Sequence, residues 1–108
     1  MPSPRKEKIA EQLRQYVAKF LEKESNRTSL VTVTRCTVSS DLKQATVYIT
    51  VLPQDKEKNA LAFAKRKRTD LRTYIKKNLP LKHIPFFEIE IDEGEKNRQR
   101  IDELLNNA

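Results

Sequence analysis

In the segment RKEKIAEQLRQYVAKFLEKE the apolar residues Ile9, Leu13, Tyr16, Val17, Phe20 and Leu21 recur at helical spacing and form one stripe. Good helix formers fill the other positions, and Pro4 with Ser3 before it suits a first turn, so a helix is predicted from about residue 4 to residue 24. The polar run SNRTS ends it. The period then changes from helical to alternating. LVTVTRCTV and QATVYITVL are rich in β-branched residues and are separated by SSDLK, whose Ser39, Ser40 and Asp41 can bond the local backbone. Two antiparallel strands joined by a short turn follow from this pattern. In the second strand Ala45, Val47, Ile49 and Val51 share one face and Thr46, Tyr48 and Thr50 the other, as in a half-buried sheet. In the first, Val31 and Val33 have one parity and Cys36 and Val38 the other. Either a bulge lies near Arg35 or both faces are partly covered.

After PQDKEKN, Ala60, Leu61, Phe63 and Ala64 open a second helix, and Leu71, Tyr74, Ile75 and Leu79 give a third its apolar stripe. Thr69 followed by Asp70 reads as an N-cap and first helical residue, which places a kink between the two helices at Lys67, Arg68 and Thr69. Pro80 ends the third helix. FFEIEI alternates strictly, with Phe87, Ile89 and Ile91 on one side, and predicts a third strand. The stretch 93–108 reads as a polar tail in which only Ile101, Leu104 and Leu105 could make a short docking turn. The expected architecture is a single α+β domain over 1–108, in the order α-β-β-α-α-β, with two consecutive helices packed in two layers on a three-stranded sheet.

Charge changes this picture from a fold to a surface. The chain has 108 residues and a net charge of +7. The excess is local: residues 56–87 carry ten cations and two carboxylates, whereas residues 88–108 carry three and seven. Lys65, Arg66, Lys67 and Arg68 cannot all face a core, and Arg72, Lys76 and Lys77 continue the charge along the third helix, with Lys82 beyond it. These eight residues are the candidate RNA-binding set. Lys offers phosphate a point charge and Arg a planar fork, contacts that position a protein on a nucleic-acid backbone without reading its bases.

Candidate chemistry of other kinds is thin. Cys36 is the only cysteine and His83 the only histidine, and no pairing with catalytic or metal-ligand spacing is present, so neither an enzyme nor a cofactor is expected. Asp92, Glu93 and Glu95 read as a solvated acidic turn in preference to a metal site. MPSPRKEKIAEQ lacks the apolar run of a signal peptide, and no stretch approaches the ~18 apolar residues of a membrane span. A cytoplasmic protein with no membrane partner is the expectation.

The element order is that of the type II KH arrangement, a nucleic-acid module that clamps phosphates with a Gly-x-x-Gly loop between its consecutive helices. The only glycine here is Gly94, past the third strand, so the interhelical kink is glycine-free. LVTVTRCTVSSDLKQATVYITVL resembles the paired strands of ribosome-binding factor A, where a Val-rich strand leads through Ser-x-Asp-Leu into a strand of the type Ala-x-Val-Tyr-Val. LPLKHIPFFEIEIDEGEKNRQRIDELL resembles the closing region of the same family. That family is similar to KH domains but carries an Ala-x-Gly kink in place of the loop. Counting back from Pro85 puts Lys67, Arg68 and Thr69 at the kink, and counting forward from Ala60 puts Ala64, Lys65 and Arg66 there.

The resemblance implies a monomeric, non-catalytic assembly factor that binds the free 30S small ribosomal subunit during late maturation. Its partners would be 16S rRNA and ribosomal proteins near the neck, its effect would be on rRNA end processing, and its importance would be greatest in the cold. The alternative is a generic nucleic-acid-binding KH-like module or a ribosome-associated stress factor.

Overall fold

The computed structural model describes residues 4–24 and 29–106. Ser3 and residues 25–28 of the expected helix break lie outside the described residues. The elements are α1 (Pro4–Glu24), β1 (Leu30–Val38), β2 (Gln44–Leu52), α2 (Glu57–Arg66) entered through a single 3-10 turn (Gln54–Lys56), α3 (Arg68–Asn78), β3 (Phe86–Ile91) and α4 (Glu93–Asn106). The KH-like type II order α-β-β-α-α-β is therefore present, followed by a fourth helix. The stretch read as a polar tail is thus a helix of 14 residues and not a short turn.

The sheet has the order β1-β2-β3. β1 and β2 pair antiparallel across the tight turn, whereas β2 and β3 pair parallel, because the α2–α3 pair supplies the crossover that parallel strands need. The register of β1 slips between Val33 and Arg35, leaving Thr34 without a partner. That bulge settles the two readings of β1. Val33 pairs with Ile49 before it, and Cys36 pairs with Val47 and Val38 with Ala45 after it, so the apolar residues of both parities reach the same face.

α1, α2 and α3 cover that face. Leu13, Val17, Val47, Ile49, Leu71, Ile75, Phe87 and Ile89 are almost wholly removed from solvent and make the centre of the core. Truncating a residue so placed costs about 2–5 kcal/mol, since the transfer loss and the cavity add. α1 and α3 meet through aromatic rings, with Tyr74 packed between Tyr16 at 6.3 Å and Phe20 at 5.5 Å. The opposite face of the sheet is only partly covered: Thr46, Tyr48 and Glu88 are half-buried and Glu90 exposed, while α4 touches β2 near the buried Thr50. Among the described residues no helix is long and apolar enough to cross a membrane.

Candidate nucleic-acid interface

The junction between α2 and α3 is a single residue. Lys67 stands at φ −90° and ψ 7°, its N–H donates to the carbonyls of Phe63 and Ala64 at 3.2 Å, and its own carbonyl accepts the Leu71 N–H at 2.9 Å. The helical bonding continues across the bend, so the turn needs neither a left-handed residue nor a side-chain cap. This corrects the expected kink at Lys67, Arg68 and Thr69: only Lys67 is non-helical, Thr69 is the second residue of α3, and no side-chain bond caps the helix. Ala64, Lys65 and Arg66, the other register, lie within α2.

The corner then sorts its cations into two groups. Lys67 and Arg68 are half-buried and engaged within the protein. The Lys67 ammonium lies 3.8 Å from both Glu24 and Asp70 and 5.7 Å from the centre of the Phe63 ring. Arg68 donates from Nε to the Lys65 carbonyl at 3.1 Å, stands 3.9 Å from Glu88 and lies over the Phe86 ring at 5.3 Å. Lys65 and Arg66 are exposed, and among the described residues neither has an ion-pair partner. Arg72, Lys76 and Lys77 continue the exposed charge along α3, whose buried side is Leu71 and Ile75.

Arg68, Arg72 and Lys76 follow one another at four-residue intervals, a row about 12 Å long at 1.5 Å per residue. Arg68 of the row reaches Glu88 on β3, and Arg72 donates to the Ile84 carbonyl in the loop before β3 at 3.2 Å. Lys82 is separated from the corner by the whole length of α3. It lines a cleft with Arg5 and Lys43, two cations that the charge-run reading did not single out because they come from other parts of the chain. The structure thus brings Lys65, Arg66, Arg72, Lys76 and Lys77 out to solvent on α2 and α3, turns Lys67 and Arg68 partly inward, and sets Lys82 apart.

Cys36 and Asp92 are structural. Burial pushes the Cys36 thiol up to about 12, so it is not a thiolate at neutral pH. Asp92 is buried and accepts bonds from the Thr34 hydroxyl at 2.6 Å and the Glu95 N–H at 3.1 Å, with Arg35 Nε 3.4 Å away. The Thr34 bond first, then the Glu95 N–H, hold its carboxyl below the ordinary value. It caps α4 instead of forming part of a solvated acidic turn. Among the described residues no three His, Cys, Asp or Glu side chains are arranged to hold a metal ion.

The family model described as Ribosome-binding factor A matches residues 5–105. The chain belongs to the ribosome-binding factor A family. It is similar to ribosome-binding factor A of Thermobifida fusca, with 37% identity over 107 residues, covering 96% of this chain and 71% of the relative. The crystal structure of ribosome-binding factor A from Thermus thermophilus matches with a TM-score of 0.73 at 21% identity, covering 80% of this chain and 93% of the other. A homology model of the Thermus thermophilus ribosome-binding factor A, fitted into a cryo-EM map of a 30S complex, matches with a TM-score of 0.65 at 21% identity, over 73% of this chain and 86% of the other. Membership of the ribosome-binding factor A family accords with the absence of a Gly-x-x-Gly loop, whereas this corner also lacks the glycine of the family's Ala-x-Gly kink.

Proposed function

We propose that this protein binds the small ribosomal subunit as an assembly factor, with the exposed cations of the α2–α3 corner laid against the backbone of 16S rRNA. The observation that carries the reading is the set Lys65, Arg66, Arg72, Lys76 and Lys77, exposed together on two consecutive helices of a ribosome-binding factor A fold. A Thermus thermophilus relative of the same fold has been placed in a 30S complex, which supports the choice of partner. Lys67 and Arg68 serve this surface indirectly, holding the corner to α1 and β3 through Glu24 and Glu88. Contacts of this type give affinity and orientation without base sequence, so the folded shape of the subunit selects the site.

In this reading the protein acts in the cytoplasm as a monomer during late maturation, favours processing of the rRNA ends and matters most in the cold. It does so as a placeholder without catalysis or cofactor, and ribosomal proteins near the neck are its neighbours. The test is sedimentation of the tagged protein through a sucrose gradient. Co-migration with free small subunits and absence from translating ribosomes is the expected result. Even spread over every nucleic-acid fraction would replace the reading by that of a general nucleic-acid binder.

A further inference from the structure

At the end of the molecule away from the basic corner, the first turn of α1, the β1–β2 turn and the α3–β3 loop enclose a cleft of roughly 360 Å³. This is within the range of small-ligand pockets, ~300–1,000 Å³. Its apolar lining is Ile9, Val38, Leu42, Leu81, Ile84 and Pro85. Its polar lining is Arg5, Lys43, Lys82, His83 and a single carboxylate, Asp41. We propose that this cleft holds one unpaired nucleotide of an RNA strand, with the base against the apolar wall and the phosphate among Arg5, Lys43 and Lys82.

Three features lead to that ligand. An apolar floor beneath three cations asks for a molecule that is flat or oily at one end and anionic at the other. Asp41 narrows the choice. Its Oδ1 accepts the Ser39 hydroxyl at 2.6 Å and the Lys43 N–H at 3.0 Å, bonds that with the Ser39 hydroxyl foremost hold its carboxyl below the ordinary value. Among the described residues Oδ2 has no partner. A carboxylate oxygen repels a plain anion or a fatty acid head but accepts well from the amino group of a base. Arg5 and His83 bring planar groups to the same rim, the kind on which unstacked bases settle.

The third feature is a strained wall. Leu42 stands at φ 61°, in the left-handed region that a Leu side chain rarely adopts. The turn is held there by Leu42 N–H to the Ser39 carbonyl at 2.9 Å and Gln44 N–H to the Ser39 hydroxyl at 3.0 Å, and it is pinned to β3 by Phe86 N–H to the Lys43 carbonyl at 2.8 Å. A turn alone would be better served by glycine or asparagine at this position. Keeping Leu there sets an apolar side chain into the cleft wall and leaves Asp41 and Lys43 on either side of it.

The experiment follows backbone amide shifts of the intact protein during titration with end-blocked pentacytidylate, pentauridylate, cytidine monophosphate and inorganic phosphate. Saturable shifts at Asp41, Leu42, Lys43, Lys82, His83 and Ile84, with an apparent Kd of about 1 mM or tighter for pentacytidylate, are expected. The uridylate should bind several-fold more weakly. Arg5→Gln with Lys82→Gln should weaken the cleft shifts at least ~tenfold, whereas Lys19→Gln with Lys23→Gln should leave them in place, because those residues lie at the other end of α1 from Arg5. Both pairs lie on the surface, so each variant retains the fold. Equal shifts from inorganic phosphate would overturn the base-binding half. Cytidine monophosphate binding as tightly as the pentamer would overturn the assignment to a strand, and no saturable shift in the cleft would overturn the site.

Discussion

The hydroxyl of Thr34 donates to Oδ2 of Asp92 across 2.6 Å, joining the bulge of β1 to the first turn of α4. The bulge frees Thr34 from the ladder, and the freed side chain closes a polar contact between residues 58 positions apart. Asp92 in turn receives the Glu95 N–H and gives its own N–H to the Ile49 carbonyl. Thr34→Val keeps the shape but leaves a buried carboxylate oxygen with Arg35 Nε at 3.4 Å as its only close partner. The expected loss is about 1–3 kcal/mol in urea unfolding. Parent-like stability would show that Arg35 alone satisfies the carboxylate.

Acid should act through the same contact. The folded-state value of Asp92 lies below the ordinary 3.8, so its contribution to stability is fully present above about pH 4 and is lost as the pH falls through the lower, folded value. The difference in urea midpoint between the parent and Asp92→Asn is therefore expected to be largest near neutral pH and to shrink as the pH drops below about 4. A difference that stays constant down to about pH 2 would assign the effect to the lost cap geometry and not to the charge.

The pattern of apolar positions made the layers legible, because burying one face of a strand or one stripe of a helix leaves a period in the chain. β1 stayed open between two readings, since its parity change has meaning only once the register against Ile49, Val47 and Ala45 is known. α4 escaped for a different reason. Its Ile101, Leu104 and Leu105 are more than half exposed, and its contact with the body is polar, with the Lys96 ammonium 3.1 Å from Glu57. A search for apolar periodicity is blind to a helix docked in that way, although Asp92 followed three residues later by Glu95 is a visible cap signal. The basic corner was legible as a charge run. Which of its cations turn inward was not, because Glu24 and Glu88, the carboxylates that face Lys67 and Arg68, come from elements far away in the chain.

The division of the corner predicts unequal roles. Replacing Lys65, Arg66, Lys76 and Lys77 with Gln removes exposed charges that have no ion-pair partner among the described residues. Stability should change by less than about half a kcal/mol per site, while the slope of log affinity for small-subunit RNA against log salt should flatten by about 0.7–0.9 for each phosphate left unneutralised. Lys19→Gln with Lys23→Gln, on α1, should leave the slope near that of the parent. Equal flattening by both sets would mean that net charge alone governs binding.

Cys36 gives a reading of the half-buried edge of the sheet, where it packs against the core. With its thiol pushed up to about 12, alkylation by iodoacetamide at pH 8 should be at least ~tenfold slower than for a free cysteine, and should approach the free rate only in denaturant. Rapid labelling of the native protein would show that the half-buried thiol is open to solvent and not held up by burial.

Lys67 sits at φ −90° and ψ 7°, outside the left-handed region, so nothing in the bend requires glycine. Introducing one should loosen the unfolded chain without relieving any strain, and Lys67→Gly is expected to cost about 0.5–1 kcal/mol, beyond whatever the contacts to Glu24 and Asp70 contribute. Lys67→Ala separates the two, since it removes the same contacts and keeps the Cβ. Thr69→Val should be nearly neutral, within about half a kcal/mol, because Thr69 offers α3 only its carbonyl, to the Thr73 hydroxyl at 3.2 Å, and no capping oxygen. Urea unfolding of the three variants beside the parent decides the matter. Stabilisation by Lys67→Gly relative to Lys67→Ala would reveal a strained bend, and a loss of about 1 kcal/mol from Thr69→Val would move the start of α3 to the capped position after all.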